Sequence, residues 1–179
     1  DLVAVVHEVV DIAQRAGRLQ VERRPSLVVR GTKAHVNDLV SDVDLASERL
    51  IGDALAALWP DDGILGEEGH DTAGTSGRRW VVDPLDGTRN YVTASGPWSV
   101  SIALLDRDQA VAAVVHDPAA DETFTAVAGA GAVLLAGAYR LVAVPDQSRR
   151  RRRALALVGF VVAGLVIGGR RERITTAQT

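Results

Sequence analysis

Over the first twenty residues, apolar side chains recur at three- and four-residue steps: Val3, Val6, Val10, Ala13 and Leu19, with Glu8, Asp11, Arg15 and Arg18 between them. This spacing lays one apolar stripe along a helix and predicts a helix over residues 2–21, ended by Pro25. A short strand over 27–30 follows, then a polar loop over 31–37 that holds Lys33, the only lysine of the chain. A second stripe of Val43, Ala46, Leu50, Ala54 and Ala57 predicts a second helix closed by Trp59-Pro60. Ser41 stands at its N-cap position with Asp44 three residues on, a capping-box spacing.

Beyond Gly63 the period shortens to that of strands. Residues 64–66 and 80–82 are short apolar runs, each ending in acidic residues, with a Gly/Ser/Thr-rich loop at 69–77 between them. From Trp98 onward the alternation predicts strands over 99–105 and 109–116, joined by a three-residue turn at Asp106-Arg107-Asp108. Further strands are predicted over 122–127 and 132–135, with Gly129 and Gly131 at their turn. Two helices followed by a largely antiparallel sheet make an α+β fold.

Composition narrows the chemistry. With no cysteine in 179 residues there is neither a disulfide framework nor a thiolate zinc site, so a metal would be held by oxygen or imidazole. The formal charge of −3 is unevenly spread: residues 1–148 carry 12 basic and 22 acidic side chains, residues 149–179 eight and one. This predicts a domain at 1–148 and an arginine-rich, apolar tail at 149–179. Within the tail, residues 154–169 are uncharged; as a helix they would span ~24 Å against a bilayer core of ~30 Å, short for a membrane anchor. Asp1, Glu8 and Asp11 contradict a signal peptide, so a cytoplasmic location is expected. No aromatic residue interleaves the arginines at 149–153, which reads as a solvated tail rather than a nucleic-acid site. His7, His35, His70 and His116 lack ligand spacing and read as structural or solvated.

Three acidic clusters carry candidate chemistry. Asp83-Pro84-Leu85-Asp86-Gly87-Thr88 follows an apolar run directly, and Pro84 bends the chain so that both carboxylates can enter one cleft. Gly87 permits close approach of the backbone to a ligand, and the N–H groups of Gly87 and Thr88 would open a helical turn suited to phosphate oxygens. Carboxylates beside a phosphate repel it unless a hard cation such as Mg²⁺ intervenes. The same hexapeptide also suits an Asp-rich turn whose carboxylates cap backbone amides. Glu67-Glu68 leaves the other apolar run between Gly66 and Gly69, and Asp38, Asp42 and Asp44 crowd the start of the second helix.

Together DLVSDVD (38–44), ILGEEG (64–69), WVVDPLDGTRNY (80–91), VSIALL (100–105) and GAGAV (129–133) resemble, in order and spacing, the inositol monophosphatase family of metal-dependent, lithium-sensitive phosphatases. The likeness covers roughly residues 1–145. It implies the N-terminal portion of an αβαβα layered sandwich, with the C-terminal α/β half missing or replaced, and an Mg²⁺-dependent phosphomonoester hydrolase acting on a small phosphorylated metabolite such as inositol 1-phosphate. Motif by motif, it makes Glu67, Asp83, the Leu85 carbonyl and Asp86 metal ligands. Asp44 and Thr88, with Glu67, become the catalytic group, and Asp86, Gly87 and Thr88 the substrate-binding residues. Glu68 is placed outside the ligand set, and Lys33 falls where the family has a loop that closes over the site. Dimers are usual in the family, so a homodimer is expected, without nucleic-acid or membrane partners. The family's later tryptophan–aspartate motif, which supplies a further ligand to a second metal, has no counterpart after Trp98. The alternative is therefore a non-catalytic, truncated or frame-shifted remnant with weak metal binding.

Overall fold

In the computed structural model the N-terminal helix starts where the Asp1 side chain accepts a hydrogen bond from the Val3 N–H at 2.9 Å. The structure describes residues 1–24, 29–32, 39–136 and 140–143, with side chains described over 1–24 and 42–132. Helix α1 (Leu2–Arg23) buries Val6, Val9, Val10, Ile12, Ala13, Ala16, Gly17 and Gln20. Val3, counted in its apolar stripe, lies on the solvent side at 47% exposure.

A two-stranded antiparallel sheet follows, β1 (Val29–Thr32) with β2 (Leu39–Ser41), in place of the strand expected at 27–30. Pro25, Leu27, Lys33, His35 and Asp38 lie outside the described residues, as does the Ser41 side chain.

Helix α2 (Asp42–Leu58) is the first correction. Its buried side is Val43, Ser47, Ile51 and Leu55, flanked by Asp44, Glu48 and Gly52. Of the expected stripe Val43 is buried, but the next members sit one position too early: Ala46, Leu50 and Ala54 are half-buried and Ala57 is exposed. One residue is ~100° of helix, so the true face is turned by about that much. Apolar spacing missed it because Ser47 and Glu48 are polar yet buried, each bonded to a partner from another element.

Among the described residues the main sheet has eight strands in the order β10-β9-β8-β7-β6-β5-β3-β4. They are β3 (Gly63–Gly66), β4 (Asp71–Thr72), β5 (Arg78–Asp86), β6 (Ser99–Asp106), β7 (Gln109–Asp117), β8 (Glu122–Val127), β9 (Gly131–Ala136) and β10 (Arg140–Ala143). Every pairing is antiparallel except β3 with β5. The hairpin between β6 and β7 is tighter than expected, because Asp106 stays in its strand and Arg107 and Asp108 make the turn at φ 48° and 67°. Two successive positive φ values match the primed turns favoured in hairpins. The short β4 interrupts the loop expected at 69–77, and β10 was not foreseen.

Both helices pack on one face, where Val6, Val9, Ile12, Ile51 and Leu55 meet Trp80, Val82, Val100, Ile102, Leu104 and Val114. Strand side chains alternate between faces. The opposite phase of the same strands, Val81, Ala103, Ala113 and Val115, is buried as well. Burial on both sides is what a layered sandwich requires, so the α+β expectation holds.

Candidate active site at the ends of two parallel strands

The one parallel pairing among the described residues, β3 with β5, frames the site. Its register sets Gly66 against Val82, so Glu67, just past the end of β3, comes beside Asp83, still within β5, and the Glu67 N–H donates to the Val82 carbonyl at 3.1 Å. In a regular strand, residues three apart face opposite sides. Here β5 pairs Asp83 with Ser101 and Asp86 with Ser99, three steps on one strand against two on the other. That extra residue is a bulge, and it turns Asp83 and Asp86 to the same side. The bend expected at Pro84 is thus a strand continuing through the proline, as a bulge permits.

Three carboxyl groups then interact. Burial, the charge of Glu67, a hydrogen bond between the Asp83 and Glu67 carboxyls and the charge of Asp86 all push Asp83 well above the usual carboxylate range, opposed by the Leu85 N–H donating to Asp83 Oδ1 at 3.1 Å. Asp86 is raised by burial and by Glu67, against a long 3.5 Å hydrogen bond from Ser99 Oγ.

Thr88 and Asp44, 44 positions apart in the chain, meet beside this cluster. Thr88 Oγ1 stands 3.0 Å from Asp44 Oδ1 and 3.0 Å from the Leu85 carbonyl. Its one hydroxyl proton serves one acceptor at a time, and a carboxylate is the stronger acceptor. Gly87 makes the turn into α3 (Thr88–Thr93) at φ 91°, where a Cβ would stand 3.1 Å from the Pro97 carbonyl, so both conformation and space call for glycine. The Leu85 side chain is buried with Val43, Tyr91 and Trp98, while its carbonyl faces Thr88 Oγ1 at 3.0 Å.

This strand-end layout now has counterparts among known proteins. The profile described as the Inositol monophosphatase family matches residues 1–178. The chain belongs to that family. It is 37% identical over 155 residues to the Nus factor SuhB of Haemophilus influenzae, covering 83% of this chain and 55% of that protein. It is 46% identical over 98 residues to an inositol-1-monophosphatase of Rhizobium meliloti, covering 54% of this chain and 37% of the relative. The crystal structure of the extragenic suppressor protein suhB from Bartonella henselae superposes with a TM-score of 0.69 at 37% identity, over 73% of this chain and 52% of that one. The chain spans about half the length of most curated relatives it matches. The inositol monophosphatase match runs past the compositional boundary at 148.

The residues fit a hard divalent cation by their chemistry. Among the described residues no three His, Cys, Asp or Glu side chains stand at the spacing of a preformed metal cage. Glu67 and Asp83 touch, and Asp86 acts on them through its charge. Mg²⁺ takes only a few protein oxygens and completes its shell with water and substrate, so this pair, the nearby Asp86 and the Leu85 carbonyl make a suitable donor set. The mutual repulsion is what a cation would relieve.

Two residues of the site's framework were missed from sequence. Gln20, fully buried in α1, donates from Nε2 to the Pro84 carbonyl at 2.7 Å and to Ser47 Oγ at 3.2 Å, and accepts from Trp98 Nε1 at 3.0 Å. Glu48 of α2 accepts hydrogen bonds from the loop that carries Glu67. Gln20 is a polar residue on the apolar, core-facing side of α1, which was the available signal; for Glu48 the apolar spacing of α2 offered none. His116 is buried with Nδ1 3.0 Å from Thr123 Oγ1, and the His70 ring packs against Gly52. Among the described residues no helix is long and apolar enough to cross a membrane; residues 154–169 lie outside them.

Proposed function

We propose that this chain is a Mg²⁺-dependent phosphomonoester hydrolase acting on a small phosphorylated metabolite, with inositol 1-phosphate the first candidate. The observation that carries the reading is the convergence of Glu67, Asp83 and Asp86 beside the Thr88–Asp44 pair. Glu67, Asp83, Asp86 and the Leu85 carbonyl would hold the metal. When bound, Mg²⁺ lowers the pKa of water and offsets the negative charge of the phosphate.

The chain's own residues supply the positioning. Asp44, only 1% exposed, takes the Thr88 proton in a hydrogen bond, so Thr88 Oγ1 is left to accept from a water and orient that water's lone pair toward phosphorus. Gly87 brings its backbone close to the ligand, where its N–H and that of Thr88 face phosphate oxygens, and Asp86 lies on the substrate side of the same cleft. No covalent nucleophile is called for.

A panel of inositol 1-phosphate, histidinol phosphate, a sugar bisphosphate and a 3′-phosphoadenosine nucleotide, each with and without Mg²⁺, tests the proposal by phosphate release. Release that depends on Mg²⁺ and disappears in Asp83→Asn supports it; no release from any ester refutes it. The lack, among the described residues, of three side chains at the spacing of a preformed metal cage favours one second reading, a chain that binds metal weakly without turnover. Mg²⁺ binding without phosphate release would select it.

A further inference from the structure

We infer that Glu48 is the positioning residue of the metal site, gripping the Glu67 loop onto α2 and setting Mg²⁺ affinity without touching the ion. The inference rests on the Mg²⁺ reading of the acidic cluster.

Glu48 is 5% exposed, yet it carries a carboxylate, and its hydrogen bonds explain why. Oε2 accepts from the Glu68 N–H at 2.7 Å and Oε1 from the His70 N–H at 2.9 Å. Both oxygens are thus spent on the backbone of the turn that begins with Glu67. Buried charge-to-amide hydrogen bonds of this kind are among the stronger ones, and they fix backbone rather than side chain.

The turn is fitted to this grip at two glycines. A Cβ at Gly66, the residue before Glu67, would collide with both Glu48 carboxylate oxygens. A Cβ at Gly52, one helical turn beyond Glu48, would come within 2.7 Å of His70 Cε1. Glu48 and Gly52 therefore form one docking surface on α2, and residues 66–70 lie against it.

Asp44 stands one turn before Glu48 on the same helix face. A single rigid helix therefore holds Asp44, which meets Thr88, and Glu48, which meets the Glu67 turn. It sets the water-orienting pair and the metal ligand in one frame, so a loosened grip at Glu48 moves Glu67 relative to Asp83. Outer partners of metal ligands typically contribute ~10–100-fold in metal affinity.

The test is Glu48→Gln in the full chain. The carboxamide keeps the shape and one acceptor oxygen but turns an N–H toward the second amide. Calorimetric titration with Mg²⁺ alone should show affinity lowered by ~10-fold or more, and the Mg²⁺ concentration that gives half-maximal turnover should rise by the same factor. Ser76→Ala is the control: it breaks the 2.7 Å bond to Asp62 Oδ1 at the other end of β3 and should leave Mg²⁺ affinity alone. Hydrogen exchange of the wild-type chain adds a readout that needs no variant. Coupling is reciprocal, so Mg²⁺ should slow exchange of the Glu68 and His70 amides. Unchanged Mg²⁺ affinity in a folded Glu48→Gln, an equal loss in Ser76→Ala, or Mg²⁺-independent exchange at those amides would overturn the inference. A wild-type chain that binds no Mg²⁺ would instead overturn the metal reading, and this inference with it.

Discussion

Replacing Gln20 by Leu should destabilise the protein, although it puts a more apolar side chain of similar size into a fully buried site. The amide joins four parts of the fold: α1, Ser47 of α2, the Pro84 carbonyl in β5 and the Trp98 indole ahead of β6. Leucine leaves the Pro84 carbonyl and Trp98 Nε1 without this partner, whereas Ser47 can turn its hydroxyl elsewhere. Each orphaned buried group costs about 1–3 kcal/mol, or roughly 2–6 for the pair. Sparing the amide its own desolvation returns about 1–3 kcal/mol. Matched low to low and high to high, these leave an expected net loss of about 1–3 kcal/mol, from a total of roughly 5–15 for a domain. At about 2–4 °C per kcal/mol the melting midpoint should fall by several degrees, and urea titration should give a lower midpoint at unchanged slope. Hydrophobic transfer alone predicts the opposite sign. A midpoint equal to or above wild type would refute the reasoning that Gln20 is held by its hydrogen bonds.

Asp83→Asn should abolish Mg²⁺ binding and turnover while raising the midpoint of the metal-free protein, since it relieves a buried carboxyl crowded by Glu67 and Asp86; Glu68→Gln should change turnover far less, and equal effects would show the two glutamates wrongly assigned. Under the proposed function, Thr88→Val should lower kcat by about 10²-fold at nearly unchanged Mg²⁺ affinity, because the hydroxyl bonded to Asp44 would orient the water and would not hold the metal. Asp83 and Asp86 are both raised in the folded state, so the folded chain holds their protons more tightly than the unfolded one, and metal-free stability falls as pH rises through and above 3.8 toward the raised values. Mg²⁺ needs the ionised forms, so its affinity should rise with pH and its binding should release protons, read by calorimetry in two buffers of different ionisation enthalpy; a buffer-independent heat would contradict this.

What was legible from sequence was local. DPLDGT and GEE announce themselves because a glycine, a proline and adjacent acids at a strand end restrict the backbone within six residues. The β6–β7 hairpin is likewise visible in its own alternation, although its turn proved one residue shorter. The parallel pairing of β3 with β5 was not legible, since nothing within either run specifies its partner's direction. Neither was the bulge between Asp83 and Asp86, which depends on where β6 resumes its register. The turned face of α2 shows a different failure: an apolar count treats Ser47 and Glu48 as outward-facing, and only their partners, 27 residues upstream and 20 to 22 downstream, make them inward.

The polar groups of this region fall into two kinds with opposite energetic signs. Gln20, Glu48 and Asp62 are buried and bonded, Asp62 to Ser76, Arg78 and Trp80, so each adds stability at the place where it stands. Asp83 and Asp86 are crowded by like charge and raised, so without a cation they subtract it. A fold keeps a destabilising cluster in place only when surrounding contacts over-determine its geometry. Here Gln20 fixes the Pro84 carbonyl between the two aspartates, and Glu48 fixes the turn of Glu67. The residues that sequence patterning passes over are thus the ones that hold the recognisable acids against their own repulsion, which is the condition for a site that draws in a cation rather than relaxing away from it.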